Sequence, residues 1–202
     1  MKAVYVYRLT SDTGLAPCVK NGLLTLACCK GGQIRGEKVI STGLRYRIGT
    51  KRKQDGVDYS ADDVYILGIF QDKMLYIAKV DNVITMEEYY NGTSKGRTDD
   101  IYRINNGKLE RNKWLQNEKV HTEPGRIMRD LAGKYVLLSK DFVYLGKDAV
   151  DVRLLEKYIP RYQETKFYKN KDAEIIISEC LKCDDGKSHM PTTPFRKSGG
   201  CR

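Results

Sequence analysis

The stretch from Asp62 to Val80, DDVYILGIFQDKMLYIAKV, constrains the fold more than any other. Val64 to Phe70 and Met74 to Val80 are short apolar runs rich in β-branched and aromatic residues, parted by the polar Gln71, Asp72 and Lys73. Each run is too short for a helix and is built from strand formers, so the pair predicts a β-hairpin. Both runs are apolar on both faces rather than alternating. Strands covered on two sides have that pattern, which puts the hairpin at the centre of a sheet.

The other segments are arranged around it. Ala3 to Leu9 predicts a strand with Val4 and Val6 on one face and Tyr5 and Tyr7 on the other, followed by a turn over Thr10 to Gly14. Leu23 to Cys28 predicts a second strand, ended by Lys30-Gly31-Gly32, where glycine suits either a flexible turn or the close approach of a ligand. Residues 34–59 look least regular. Thr85 with Glu88 three residues on forms a capping box for a short helix that Asn91-Gly92 ends.

Ile101 to Ile104 and Lys108-Leu109 suggest a second hairpin, and Tyr135 to Leu138 with Phe142 to Leu145 a third. Asp148 to Ile159 has helical spacing, stopped by Pro160, and Ala173 to Ser178 reads as a last strand. From Asp184 the composition turns to Gly, Ser, Pro, Thr and basic residues, as in a poorly ordered tail. The expectation is an α+β fold with a mixed or mostly antiparallel sheet, curled or closed into a small barrel, with a few flanking helices. Residues 1–172 form the binding domain in this reading, and 173–202 a terminal strand and cysteine-containing tail.

The chain carries 36 Lys and Arg against 26 Asp and Glu, a net charge of +10, which favours a polyanionic partner and above all nucleic acid. No apolar stretch approaches the roughly 20 residues of a membrane span, and the N-terminus reads as a strand rather than a signal peptide. The expected setting is cytoplasmic, with no membrane partner; the oligomeric state is left open. Six cysteines without a secretion signal argue against a disulfide framework.

Several motifs bear on chemistry. Arg45, Tyr46, Arg47, Lys51 and Arg52 set an aromatic among cations, which suits either a phosphate backbone with one stacked base or a solvated loop. Trp114, the only tryptophan, is either core or a base-stacking wall. Gly186-Lys187-Ser188 lacks the first glycine of a phosphate loop, and Pro191 and Pro194 bar the helix that would have to follow.

Cys180 and Cys183 have zinc-ligand spacing, but the gaps to His189 and Cys201 match no common finger, so free thiols are expected there. Cys28 or Cys29 with His121 supplies a nucleophile and base, whereas strand-borne thiols usually pack as small apolar groups. The adjacent acids Asp62-Asp63, Glu87-Glu88 and Asp99-Asp100 point to opposite faces of a strand and make poor shared sites.

In order along residues 3 to 160, the chain resembles the family called nucleotide modification associated domain 2. The resemblance rests on Tyr7-Arg8-Leu9 with Asp12 to Pro17, Leu24 to Lys30, Asp62 to Gly68 with Leu75 to Val80, Glu87-Glu88-Tyr89, Asp99 to Tyr102, and Val136 to Gly146. It implies a role tied to modified DNA bases in phage and bacterial gene neighbourhoods. The strand–strand–helix pattern at the centre is also similar to the EVE and YTH branch of PUA-like domains, which take a flipped or modified base into a pocket.

The basic segment between Ile34 and Tyr59 is longer than that pattern, and the cysteine-rich tail has no counterpart in it. The resulting expectation is an aromatic and basic pocket for a nucleotide or modified base. Asp12, Thr25, Cys28 and Lys30 would line it, with the 45–53 cations on phosphate and His121 or Trp114 nearby, and without a cofactor. The alternatives are a sponge for a soluble nucleotide signal in host–phage conflict, and a nucleotide- or base-modifying enzyme.

Overall fold

The computed structural model describes residues 1–112 and 121–183. Along the first half run β1 (Lys2–Arg8), β2 (Cys18–Lys20), β3 (Leu23–Leu26), β4 (Gly32–Arg35), β5 (Lys38–Thr42) and helix α1 (Leu44–Gly49). Then come β6 (Asp63–Phe70), β7 (Lys73–Lys79), β8 (Asn82–Thr85), the short helix α2 (Met86–Glu88) with a wide turn over Tyr89–Thr93, β9 (Tyr102–Asn105) and β10 (Lys108–Arg111). The last part holds α3 (Pro124–Leu131), β11 (Tyr135–Ser139), β12 (Phe142–Tyr144), β13 (Val150–Asp151), β14 (Thr165–Lys169) and α4 (Lys171–Leu181).

The central hairpin forms as its pattern predicts. Asp72 and Gln71 both take positive φ, 62° and 50°, the geometry of a tight two-residue hairpin turn, and Leu67 pairs with Ile77. The hairpin lies inside the larger sheet, ordered β12-β7-β6-β1-β14, with β13 also on β7. β1 runs parallel to β6 and the other pairs are antiparallel, so the sheet is mixed.

Side-chain alternation then divides the core. Val4, Val6, Leu67, Ile69 and Ile77 face α4, while Tyr5, Tyr7, Ile66, Leu75 and Tyr76 face a second sheet, ordered β2-β3-β11-β8. Leu24, Leu26 and Leu137 close that middle layer. On the far side of the second sheet, Ala27, Cys28 and Val136 pack on Met86, Tyr89, Tyr90, Ile101 and Tyr102. The described residues form curled mixed sheets flanked by helices, with no closed barrel.

Four segments differ from the sequence reading. Ala173 to Ser178 is helical: Ala173, Ile176, Ile177 and Cys180 recur at helical spacing and are buried, while Ile175 is exposed. The isoleucine run disguised that period as a strand. Phe142 to Leu145 does not pair with Tyr135 to Leu138; β11 joins β3 and β8, whereas β12 joins β7, so the chain turns a corner at Ser139 between the two sheets. Residues 34–59 contain the β4–β5 hairpin and α1. Asp148 to Ile159 makes β13 and a tight helical turn over Arg153–Tyr158 that buries Leu155 and Tyr158. The capping box at Thr85 forms as read, and the expected tail after Asp184 lies outside the described residues.

Candidate functional site

A cleft of about 600 Å³ opens between the β3–β4 connection, the β4–β5 hairpin, α3 and the segment entering β14. Cys29, Lys30, His121 and Asp130 lie on its wall, with Arg47, Arg126 and Arg129 around it and Glu164 among the opposing residues. Its apolar lining is aliphatic, from Leu9, Ile34, Ile40 and Leu44. Ile40 and its neighbour Val39 project from β5 more than half exposed, so the hairpin offers an apolar flap beside the cations.

The wall is set by one close backbone approach and one buried side-chain clamp. A methyl group on Gly31 would collide with the Arg129 carbonyl, so only glycine lets this loop lie against α3. Arg45, fully buried, then ties both together. Its Nε donates to the Cys29 carbonyl at 2.7 Å, Nη1 to the Tyr135 carbonyl at 2.5 Å and Nη2 to the Asp130 carbonyl. The last acceptor lies in the final turn of α3, where a cation complements the helix dipole. Gly133 leaves room for this guanidinium.

Within that frame Cys29, His121 and Asp130 form a chain of contacts. Cys29 Sγ lies 3.5 Å from His121 Nε2, and His121 Nδ1 contacts Asp130 Oδ2. Asp130, 1% exposed, also accepts from the Cys29 amide at 2.7 Å and from the Tyr102 hydroxyl at 2.8 Å. Burial, and then the Asp130 charge, push the Tyr102 phenol far above its ordinary value, so it stays a donor. Cys29, Lys30 and His121 have φ of 60°, 50° and 54°, three non-glycine residues in the left-handed region at one site. The three ligand-type atoms lie within 4.8 Å of one another, close enough to be considered for a metal.

Of the residues the sequence singled out, Lys30, Arg47 and His121 line the cleft. Lys30 Nζ donates to the Arg8 carbonyl at 2.9 Å and lies over the Tyr7 ring. Arg47 is held by Asp55 at 2.8 and 3.0 Å, and Lys51 by Asp58 at 2.7 Å. Arg52 bonds Gln54, and Tyr46 packs edge-on to Tyr135. These cations brace the segment that was expected to meet phosphate.

Asp12, Thr25 and Cys28 are each fully buried away from the cleft. Asp12 accepts from Tyr144 at 2.8 Å, Thr25 donates to Asp99 at 2.6 Å, and Cys28 to the Leu15 carbonyl. Burial pushes the Asp99 carboxyl up against the opposing pull of Thr25, Arg97 and Tyr89. No tyrosine, phenylalanine or tryptophan lines the cleft among the described residues, many of the tyrosines being buried in the core. Trp114, His189 and Cys201 lie outside the described residues, and Cys180 is buried in α4.

Sequence reasoning missed Asp130, Arg126 and Arg129, and it could not choose between Cys28 and Cys29. Both lie in the bend beyond β3, and only the packing of Cys28 into the core leaves Cys29 for the cleft. No signal in the α3 sequence marks Asp130. Neither the curated proteins nor the solved structures yield a match. One family model does match, nucleotide modification associated domain 2, over residues 1–197.

Proposed function

The chain belongs to the nucleotide modification associated domain 2 family, and from that premise we propose that its cleft binds a nucleotide or the modified base of a nucleic acid. The observation that carries this reading is the grouping of Lys30, Arg126 and Arg129 around a cavity of nucleotide size. Arg129 is exposed and, among the described residues, forms no ion pair; Arg126 is only loosely held, 3.3 Å from the largely exposed Glu123. Guanidinium groups of this kind meet phosphate oxygens in pairs. The ring would lie under the aliphatic flap of Ile34 and Ile40 rather than against tyrosines. The setting is that of base modification or phage–host conflict.

Equilibrium titration with 5′-mononucleotides and short labelled single strands tests this. Arg126→Glu combined with Arg129→Glu should weaken binding by at least about tenfold, the scale of one lost charge-assisted hydrogen bond. Affinity should also fall steeply with salt. Binding unaffected by both changes, or no binding to any of these ligands, would reject the reading. A protein that takes only free nucleotides and returns them intact would be a sponge for a soluble signal.

A further inference from the structure

The geometry points to Cys29 as the nucleophile of a Cys–His–Asp relay that breaks an amide or ester bond on the group held in the cleft. This inference rests on the nucleotide reading and adds a reaction class to it. The three groups form a compact cluster, and the imidazole bonds each of the other two. Asp130 Oδ2 accepts from His121 Nδ1–H, which leaves Nε2 as the acceptor facing Cys29 Sγ at 3.5 Å. The carboxylate is itself fixed by the Cys29 amide and the Tyr102 hydroxyl, so the base is oriented from behind by a buried group.

The same three groups offer ligand atoms within 4.8 Å of one another, so zinc is the competing occupant that the test below distinguishes. The relay reading is favoured by the imidazole, which commits one nitrogen to the thiol and the other to the carboxylate. Positive φ at Cys29, Lys30 and His121 adds a second, independent sign, since backbone strain of this kind gathers where a reactive group is presented.

The step balances with water as the only co-reactant. His121 Nε2 takes the Cys29 proton, the sulfur adds to the acyl carbon, and the carbonyl π pair moves onto its oxygen. As that pair returns, the C–N or C–O bond breaks and the leaving amine or alcohol takes the proton from Nε2. Water then attacks the thioester, giving its proton to Nε2; the S–C bond breaks, a carboxylic acid leaves and the thiol is restored. Nothing is oxidised or reduced. Asp130 and Tyr102 are positioning residues. The substrate class is an acylated nucleotide or base, its phosphate toward Arg126 and Arg129.

The test uses the full chain and two readouts. First, iodoacetamide labelling of Cys29, followed by peptide mass mapping, is measured from about pH 5 to pH 9 against the ordinary thiol value of about 8.5. Wild type should label in the acidic half of that range. His121→Ala and Tyr102→Phe, the latter removing a single oxygen from a folded protein, should both move the profile toward 8.5 and slow labelling near pH 6.5, by about tenfold for His121→Ala. A merely structural cluster would leave the profile where it was.

Second, a base-acetylated deoxycytidine monophosphate is incubated with wild type and Cys29→Ser. Wild type should release acetate and yield an acid-stable acetyl adduct on Cys29, and the variant neither. Superimposable labelling profiles, or stoichiometric zinc that is lost in Cys29→Ser, would overturn the relay. Probe that binds but stays intact would overturn the reaction class and leave the binding reading standing. An acidic thiol profile in a protein that binds no nucleotide supports the relay and sinks the binding reading instead.

Discussion

Replacing Arg45 with methionine tests what joins the two loops that carry the cleft. The guanidinium is fully buried, and its three hydrogen bonds to the backbone end on the carbonyls of Cys29, Asp130 and Tyr135. Methionine fills comparable length but offers no donor, so three interior acceptors lose a partner at roughly 1–3 kcal/mol each. Removing a buried charge returns several kcal/mol of desolvation, so the net loss should be about 3–5 kcal/mol, the range for breaking a buried charged contact. Urea unfolding, with an m-value of roughly 2 kcal/mol/M, should then show a midpoint lower by about 2 M. Arg45→Lys keeps the charge but cannot reach all three carbonyls and should fall between. A methionine variant within about 1 kcal/mol of wild type would refute the claim that this side chain clamps the β3–β4 loop to α3.

Three further predictions follow from neighbouring features. Gly31→Ala should distort the loop, because the new methyl meets the Arg129 carbonyl; Cys29 labelling should slow and thermal stability should drop. Lys51, and then Ser60, hold the Asp58 carboxyl down to about 2. Its folded value lies below the unfolded one, so this contribution to stability is present above the ordinary carboxylate value and is lost as pH falls through about 2. NMR titration should place the Asp58 midpoint there, and a midpoint near 3.8 would contradict the contact. Glu88→Ala removes one side of the capping box and should lower the urea midpoint slightly, with fraying of α2 seen in amide exchange.

How far the sequence could be read depended on whether a segment's signal was local. The central hairpin was legible because two strand-forming runs meet at a polar break, and the Thr85 cap because it spans four residues. The α4 helix was not, because Ile175, Ile176 and Ile177 look like a strand until the window widens enough to show that Ile175 faces solvent. The separation of β11 from β12 follows from which sheet each strand completes, a long-range matter that a tight Ser139-Lys140-Asp141 turn conceals.

The site was the least legible part. Asp130 acts 101 residues from Cys29, and Arg45, read as a phosphate contact, is spent on carbonyls brought to it from positions 29, 130 and 135. His121 was read as a base for a thiol at Cys28 or Cys29, a pairing that the sequence alone could neither narrow to one cysteine nor bring together in space. A basic cluster in sequence need not be a basic surface. Here Arg47 and Lys51 meet Asp55 and Asp58 a few residues on, while the open cations of the cleft come from α3.

The most direct measurement of the central claim is protection of Cys29 by ligand. Wild-type protein is labelled with iodoacetamide at increasing concentrations of a 5′-mononucleotide, and the rate at Cys29 is followed by mass mapping. A nucleotide seated in this cleft should slow labelling along a saturating curve whose midpoint matches the equilibrium affinity, and Arg126→Glu with Arg129→Glu should shift that midpoint upward. Saturating nucleotide binding with no change in the Cys29 rate would place the ligand elsewhere and contradict the account.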